Sequence, residues 1–342
     1  MKILIISPTQ KGIGGIAQHV QGLSNFLKKK GHDIDIISSE NTLTIPVKGL
    51  KNPSFMISSF FKSKFKKDND IVHAHNIPAA LAMKNATGKK ILTLHGIFSK
   101  QIDQLHGKTT SNISERYEKN ALNWADAITV VSKEAHEHYT KLGFHVQQIP
   151  NGINIVSLPT KEDKRFENQI IFAGRLSKEK GILVLLDVAK KIPENIHLLI
   201  LGTGPEEDKV RELAKSHSNI HFLGYQSKEN TIALIRGSEI LIQPSLMEGI
   251  SSTLLEAMAC NTTIIASNVG GNKEILENNH SGILVNSNNS ESILNQILEL
   301  MKDSNKKKKL AENAFNEVKK YDWEHVGKLY LDLYDSLLKQ SK

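Results

Sequence analysis

The sequence predicts an α/β protein built from two doubly wound parallel sheets, and three observations carry that reading. The chain has 342 residues, and at roughly 150 residues per domain that length suits two globular units. Short apolar runs alternate with helical patterns in both halves, the signature of parallel strands linked by helical crossovers. A polar, Lys-rich, Pro-bearing stretch at 158–168 separates the halves and reads as a linker. The expected domains are 1–160 and 166–322, with 323–342 packing back on the first.

Taken in order, Ile3–Ser7 reads as a buried strand and Gly12-Ile13-Gly14-Gly15 as a glycine turn leading into a helix over 16–30. Gly31 stops that helix. Strands are expected at Asp33–Ser38, Ile71–His75, Lys90–His95 and Ala127–Val131, and Ser132 caps a helix ending near Gly143. The second half repeats the pattern, with strands at Ile170–Ala173, His197–Leu201, Ile220–Leu223, Ile240–Gln243, Thr263–Ala266 and Gly282–Val285. Residues 291–320 read as helical. The tail places Val326, Leu329, Tyr330, Leu333, Tyr334 and Leu337 on one face of a helix, which needs a groove to cover it.

Composition narrows the function. At 39% hydrophobic residues the chain is too apolar to be disordered, and no apolar run reaches the roughly 18 residues of a membrane span. The opening MKILIISP is too short for a signal peptide, and the single Cys makes no internal disulfide. A cytoplasmic, soluble protein is the expectation. Residues 1–165 carry 23 Lys and Arg against 13 Asp and Glu, whereas the remainder carries 21 against 23. Such asymmetry points to different partners for the two halves. In FMISSFFKSKFKK, 55–67, aromatics interleave with lysines. That pattern suits either an anionic membrane surface, as peripheral contact on the inner face of a cell membrane, or an ordinary helix with Phe inward and Lys outward. Nothing indicates nucleic acid.

The strongest chemical constellation is PSLMEGISSTLLEAMA, 244–259. Glu248-Gly249 follows an expected strand, Ser251, Ser252 and Thr253 are helix-capping types, and Glu256 falls in an early turn of the next helix. Carboxylates so placed accept hydrogen bonds from sugar or ribose hydroxyls, and the exposed amides of a helix start suit phosphate. In IIFAGRLSKEKG, 170–181, Arg175 and Lys180 sit between a strand end and a helix, a candidate clamp for a diphosphate without a metal. LGTGP at 201–205 adds a turn with Gly202 and Gly204. Other signals weigh less. Asp68-Asn69-Asp70 precedes a strand and reads as a turn. His73 and His75 alternate along one strand with no third ligand apparent, so no zinc site is expected. Gly12-Ile13-Gly14 lacks the third glycine of a dinucleotide fingerprint.

With these residues assembled, the second half resembles the donor domain of the retaining, GT-B-fold glycosyltransferases of family four. Arg175 with Lys180, LGTGP, FLGY at 222–225 and the Glu248/Glu256 pair all appear in that family's order. The first half is similar to its partner domain through Gly14-Gly15, DIVHAH at 70–75, TLHG at 93–96, ADAITVVS and IPNGIN. The resemblance implies a GT-B fold with two Rossmann-like domains facing across a cleft. It implies that Arg175 and Lys180 neutralise the diphosphate of a nucleotide-sugar, a UDP-sugar first among candidates, while Glu256 holds the ribose and Glu248 the transferred sugar. Amides of Gly249, Ile250, Ser251, Ser252 and Thr253 would orient sugar and phosphate. Gly14 and Gly15 would admit the diphosphate, and His95 would lie beside the sugar. No cofactor or metal is implied. The resemblance further implies retention by front-face substitution, with the acceptor a glycan or lipid-linked hydroxyl of cell-envelope or polysaccharide synthesis. Ser251-Ser252 departs from the Gly, Pro or Asn usual in the family, which leaves the donor sugar open. The alternatives are a nucleotide-sugar epimerase on the same fold, or an inactive nucleotide-sugar-binding subunit.

Overall fold

The structure, a computed structural model, describes residues 1–10, 14–45, 47, 50–99 and 111–340. Gly12 and Ile13 of the glycine turn lie outside the described residues. The chain forms two compact units, Met1–Gly152 with Trp323–Lys342, and Ile153–Asp322.

The first unit runs β1 (Lys2–Ser7), α1 (Gly15–Lys29), β2 (Asp33–Ser38), α2 (Lys51–Ser63), β3 (Ile71–His75), α3 (Ala80–Asn85), β4 (Lys89–Leu94), α4 (Ser111–Asn123), β5 (Ala127–Val130), α5 (Lys133–Lys141) and β6 (Val146–Gln148). All its strand pairs are parallel, in the order β2-β1-β3-β4-β5-β6. Helices cover both faces, so the central strands are buried along nearly their whole length rather than on alternate residues. Every residue of β3 is buried, His73 and His75 included.

The second unit runs β7 (Gln169–Ala173), α6 (Ile182–Ala189), β8 (His197–Leu201), α7 (Glu207–Ser216), β9 (Ile220–Gly224), α8 (Lys228–Arg236), β10 (Ile240–Gln243), α9 (Ser252–Ala259), β11 (Thr263–Ser267), α10 (Asn272–Ile275), β12 (Ile283–Val285), α11 (Ser290–Lys302) and α12 (Ser304–Val318). Its parallel order is β12-β11-β10-β7-β8-β9. The helical stretch expected at 291–320 is two helices, because Asp303 leaves helical geometry and caps the second, its side chain accepting from the Lys306 amide at 2.9 Å.

Strand order reverses between β1 and β3 in one sheet and between β7 and β10 in the other. Carboxyl ends of strands at such a reversal diverge and leave a crevice, the general ligand position of open α/β sheets. That topology selects where to look in each unit.

The unit boundary comes earlier than the polar stretch 158–168. The Ile153 amide donates to the Tyr321 carbonyl at 2.8 Å and the Ile155 amide to Asp322 at 3.2 Å, which ties the chain into the second unit from residue 153. A final helix, α13 (Trp323–Lys339), returns to the first unit. Its apolar face, Trp323, Val326, Tyr330, Tyr334 and Leu337, joins a core with Val20, Leu23, Phe26 and Leu27 of α1.

In α2 the aromatics divide. Phe55 is wholly buried, but Ile57 is 60% exposed and Phe61 55%, with Phe65 beyond the helix at 84%. The expectation of an ordinary helix with Phe inward therefore holds for one side only. Nearby Leu43, Ile45, Val47 and Leu50 are also exposed.

Candidate active site

In the second unit the expected clamp lies at the sheet's reversal. Gly174 and Arg175 leave the carboxyl end of β7, and Pro244 through Ile250 leave that of β10. The two segments are tied together where the Leu246 amide donates to the Glu179 carbonyl at 2.9 Å. Lys180 reaches across this tie and pairs with Glu248, Nζ to Oε1, at 2.6 Å. The same oxygen accepts from Gln243 Nε2 at 2.7 Å and Ser245 Oγ at 2.8 Å. A carboxylate with 6% of its side chain exposed is thereby held in one orientation by three donors, and it fixes Lys180 in turn. Arg175 differs: its side chain is 62% exposed and pairs with Glu179 only at 3.8 Å, so its guanidinium is accessible to an incoming anion.

Glu256 lies in the second turn of α9, buried, and pairs with Lys228 at the start of α8. The Ser251 side chain caps α9 by accepting from the Leu254 amide at 3.4 Å. The amides of Ser252 and Thr253 precede any intrahelical acceptor, so they add partial positive charge near Glu248-Gly249.

The glycines at 202 and 204 have a reason internal to the fold. A Cβ on Gly202, at φ +126°, would lie 1.8 Å from the Gly174 carbonyl oxygen, and one on Gly204 would lie 2.3 Å from that of Leu176. The turn after β8 packs directly on the backbone flanking Arg175, so both positions shape the site whether or not they touch a ligand. Gly14 and Gly15 are the opposite case, since among the described residues a Cβ at either meets nothing within 4 Å.

In the first unit the reversal holds a histidine cluster. His19 comes from α1, His73 and His75 from β3, and His95 follows β4. His75 Nδ1 lies 3.2 Å from His95 Nε2. The His19 ring is 4.8 Å from that of His95 and 5.4 Å from that of His75 between centroids. His73 is held at both nitrogens, by the Tyr334 hydroxyl at 2.7 Å and Thr93 Oγ1 at 2.6 Å. Burial lowers all four imidazole pKa values. His73 falls to about 3 and His95 to about 4, while His19 and His75 fall well below the usual histidine range. Repulsion from neighbouring imidazoles adds to burial at His19, His73 and His75, and the Asn151 side chain opposes it at His19 and His95. At neutral pH these rings are therefore uncharged and suited to exchanging hydrogen bonds with hydroxyls.

This cluster corrects the reading of β3. A third imidazole does join His75: one ring atom from each of His19, His75 and His95 lies within 4.8 Å of the others. His19 gave no signal because a lone His on the inner face of a helix looks like core. Lys228, Gln243 and Ser245 were also missed, being ordinary residues until the fold sets them against Glu256 and Glu248.

Two units, each a six-stranded parallel sheet with helices and with polar side chains gathered at its strand reversal, make up the two-domain α/β architecture of the GT-B fold. The sequence comparisons agree. Residues 13–156 match the model described as Glycosyltransferase Family 4, and residues 158–317 match that described as Glycosyl transferases group 1. An uncharacterized glycosyltransferase of Methanocaldococcus jannaschii is 31% identical, covering 98% of this chain and 99% of that one. A phosphatidyl-myo-inositol mannosyltransferase of Mycobacterium leprae is 23% identical over 98% and 97%. Among solved structures, Anabaena HepE in complex with UDP and glucose is 18% identical with a TM-score of 0.77, covering 98% and 100%. The chain belongs to the group 1, family 4 glycosyltransferases.

Proposed function

We propose that the protein transfers a sugar, with retention, from a nucleoside-diphosphate sugar to a hydroxyl of a glycan or lipid-linked acceptor. The observation that carries this reading is Lys180, oriented by Glu248 at 2.6 Å, beside the accessible Arg175 at the β7/β10 reversal. Two cations and the amides opening α9 form a receptor for a diphosphate whose charge grows as its bond to the anomeric carbon breaks. Arg175 and Lys180 take the charge-neutralising part that a metal ion plays in other phosphate chemistry, so transfer proceeds without one. The bond from the anomeric carbon to the diphosphate oxygen breaks, and the acceptor oxygen bonds to the same face. The acceptor proton passes to an oxygen of the departing diphosphate.

In this reading Glu256 holds the ribose and Glu248 the transferred hexose, with Gly249 through Thr253 orienting sugar and phosphate. Gly202 and Gly204 shape the nucleotide side. Gly14, Gly15 and His95 are the first unit's contributions, Gly15 because no atom among the described residues lies within 4 Å of where its Cβ would be. UDP is the favoured nucleotide, as in the HepE complex. Thermal shift against UDP-, GDP- and ADP-sugars tests the donor. A UDP-sugar at about 100 times its Kd is expected to add about 2.7 kcal/mol of apparent stability. A chain that responds to none of the three does not use a UDP-, GDP- or ADP-sugar as donor.

The acceptor side includes an anionic membrane surface, reached from the cytoplasmic face. Ile57, Phe61 and Phe65 are exposed at four-residue spacing, with Lys62, Lys64, Lys66 and Lys67 among them. Apolar insertion plus lysines is the combination that holds a peripheral protein on anionic lipid. Among the described residues no helix is long and apolar enough to cross a membrane, so binding would be peripheral. Sedimentation is expected to bring the chain down with anionic but not neutral vesicles, and Phe61→Ser with Phe65→Ser to reduce it. Equal binding to both vesicle types, or none, removes the membrane contact.

A further inference from the structure

We propose that His19, His75 and His95 form a three-imidazole site for a borderline divalent transition metal, Zn²⁺ being the ion that fits. The three ligands come from three separate elements at the β1/β3 reversal, and their ring atoms converge within 4.8 Å. The pair His75 Nδ1 and His95 Nε2, 3.2 Å apart, already matches a tetrahedral edge: zinc–nitrogen bonds of about 2.0–2.1 Å place two ligand nitrogens about 3.3–3.4 Å from each other. His19 supplies the third corner by a side-chain adjustment.

Two further observations favour a metal over a self-sufficient hydrogen-bonded cluster. His19 Nδ1 lies 3.1 Å from Asn151 Oδ1. An imidazole that donates its Nδ1–H to a carbonyl oxygen leaves Nε2 as a bare lone pair, the second-shell arrangement of metal-bound histidine. That Nε2 has only a long 3.3 Å contact with the Tyr330 hydroxyl, which a metal would displace. Second, His73, its ring tilted against that of His75 with 4.3 Å between centroids, has both nitrogens engaged by Tyr334 and Thr93. It is excluded as a ligand and acts as a wall that holds the His75 ring. The donor set is all imidazole, which suits Zn²⁺, Co²⁺, Ni²⁺ or Cu²⁺ rather than the Mg²⁺ that accompanies nucleotides. Three protein ligands leave a fourth position for water or a hydroxyl.

His95 is also the proposed sugar contact, so zinc and transfer compete for one imidazole. Resting on the proposed function, this second consequence is slower transfer when zinc is bound. The site itself is tested without any activity. Full-length, untagged, chelator-treated chain is titrated with Co²⁺ and followed by its visible d–d bands. One equivalent with tetrahedral intensity, displaced by Zn²⁺, is expected. His19→Gln and His75→Gln should each weaken binding about tenfold or more, whereas changing both His197 and His221, a pair 3.1 Å apart in the other unit, should leave it intact. Should the buried variants misfold by circular dichroism, X-ray absorption of the zinc-loaded wild type decides: three imidazole nitrogens in the first shell support the site. Fewer imidazoles, an octahedral cobalt spectrum, no binding, or binding unchanged in folded His19→Gln and His75→Gln would overturn it. A chain that binds zinc as expected yet transfers no sugar keeps this site and loses the proposed reaction.

Discussion

Arg175→Ala and Lys180→Ala are each expected to lower turnover on the order of 10²-fold or more, the usual cost of removing a group that meets charge developing in the transition state. The loss should fall mainly on kcat, because the diphosphate carries more charge while leaving than while bound to the sugar. The two residues differ in how they are held. Lys180 is positioned before any ligand arrives, its partner Glu248 being fixed by Gln243 and Ser245. Arg175, 62% exposed, is paired with Glu179 at 3.8 Å. Glu248→Gln should therefore mimic part of Lys180→Ala by freeing the ammonium, with no such effect from Glu179→Gln. Steady-state kinetics with a UDP-sugar decide the matter, and near-wild-type kcat in both Arg175→Ala and Lys180→Ala would defeat the assignment.

Gly181→Ala is expected to destabilise the second unit by about 3 kcal/mol or more. Gly181 sits at φ +69° between Lys180 and α6, and a Cβ there would lie 1.8 Å from the Pro244 carbonyl oxygen. Left-handed geometry alone costs a non-glycine residue about 1–3 kcal/mol, and the overlap forces the β7 and β10 exits apart. For a unit of this size the midpoint should fall by about 6–12 °C. The clamp suffers together with stability, since Lys180 and Glu248 lie on the two segments driven apart. Gly15→Ala is the matched contrast. Among the described residues its Cβ meets nothing within 4 Å, so stability should hold while transfer falls if the diphosphate approaches there. Calorimetry on both variants checks the pair, and a Gly181→Ala transition indistinguishable from wild type contradicts the packing described.

Much of this architecture was legible in the sequence because parallel strands covered on both faces are uninterrupted apolar runs. Asp33–Ser38, Ile71–His75, His197–Leu201 and Ile240–Gln243 are strands with the bounds their composition predicts. Val146–Gln148 escaped notice: it is a three-residue edge strand with both glutamines exposed, and it carries almost no apolar signal. Polar composition at 158–168 marks exposure, whereas backbone hydrogen bonds from Ile153 and Ile155 tie the chain into the second unit before that stretch.

Of the candidate site, Arg175, Lys180, Glu248 and Glu256 were legible because each sits within a few residues of a strand end or helix start. Their partners were not. Lys228 meets Glu256 across 28 residues, and His19 reaches the β3 and β4 histidines only once the strand order is known. Such pairings belong to topology rather than local pattern. The glycines at 202 and 204 were visible, but their reason, contact with the backbone around Arg175, was not.

The most direct measurement is a crystal structure of the protein with an intact UDP-sugar or UDP. Diphosphate oxygens within hydrogen-bond distance of the Arg175 guanidinium and Lys180 Nζ are expected, with the α9 amides facing the same group. A pyrophosphate seated away from both side chains would contradict the proposal that this pair stabilises the leaving group.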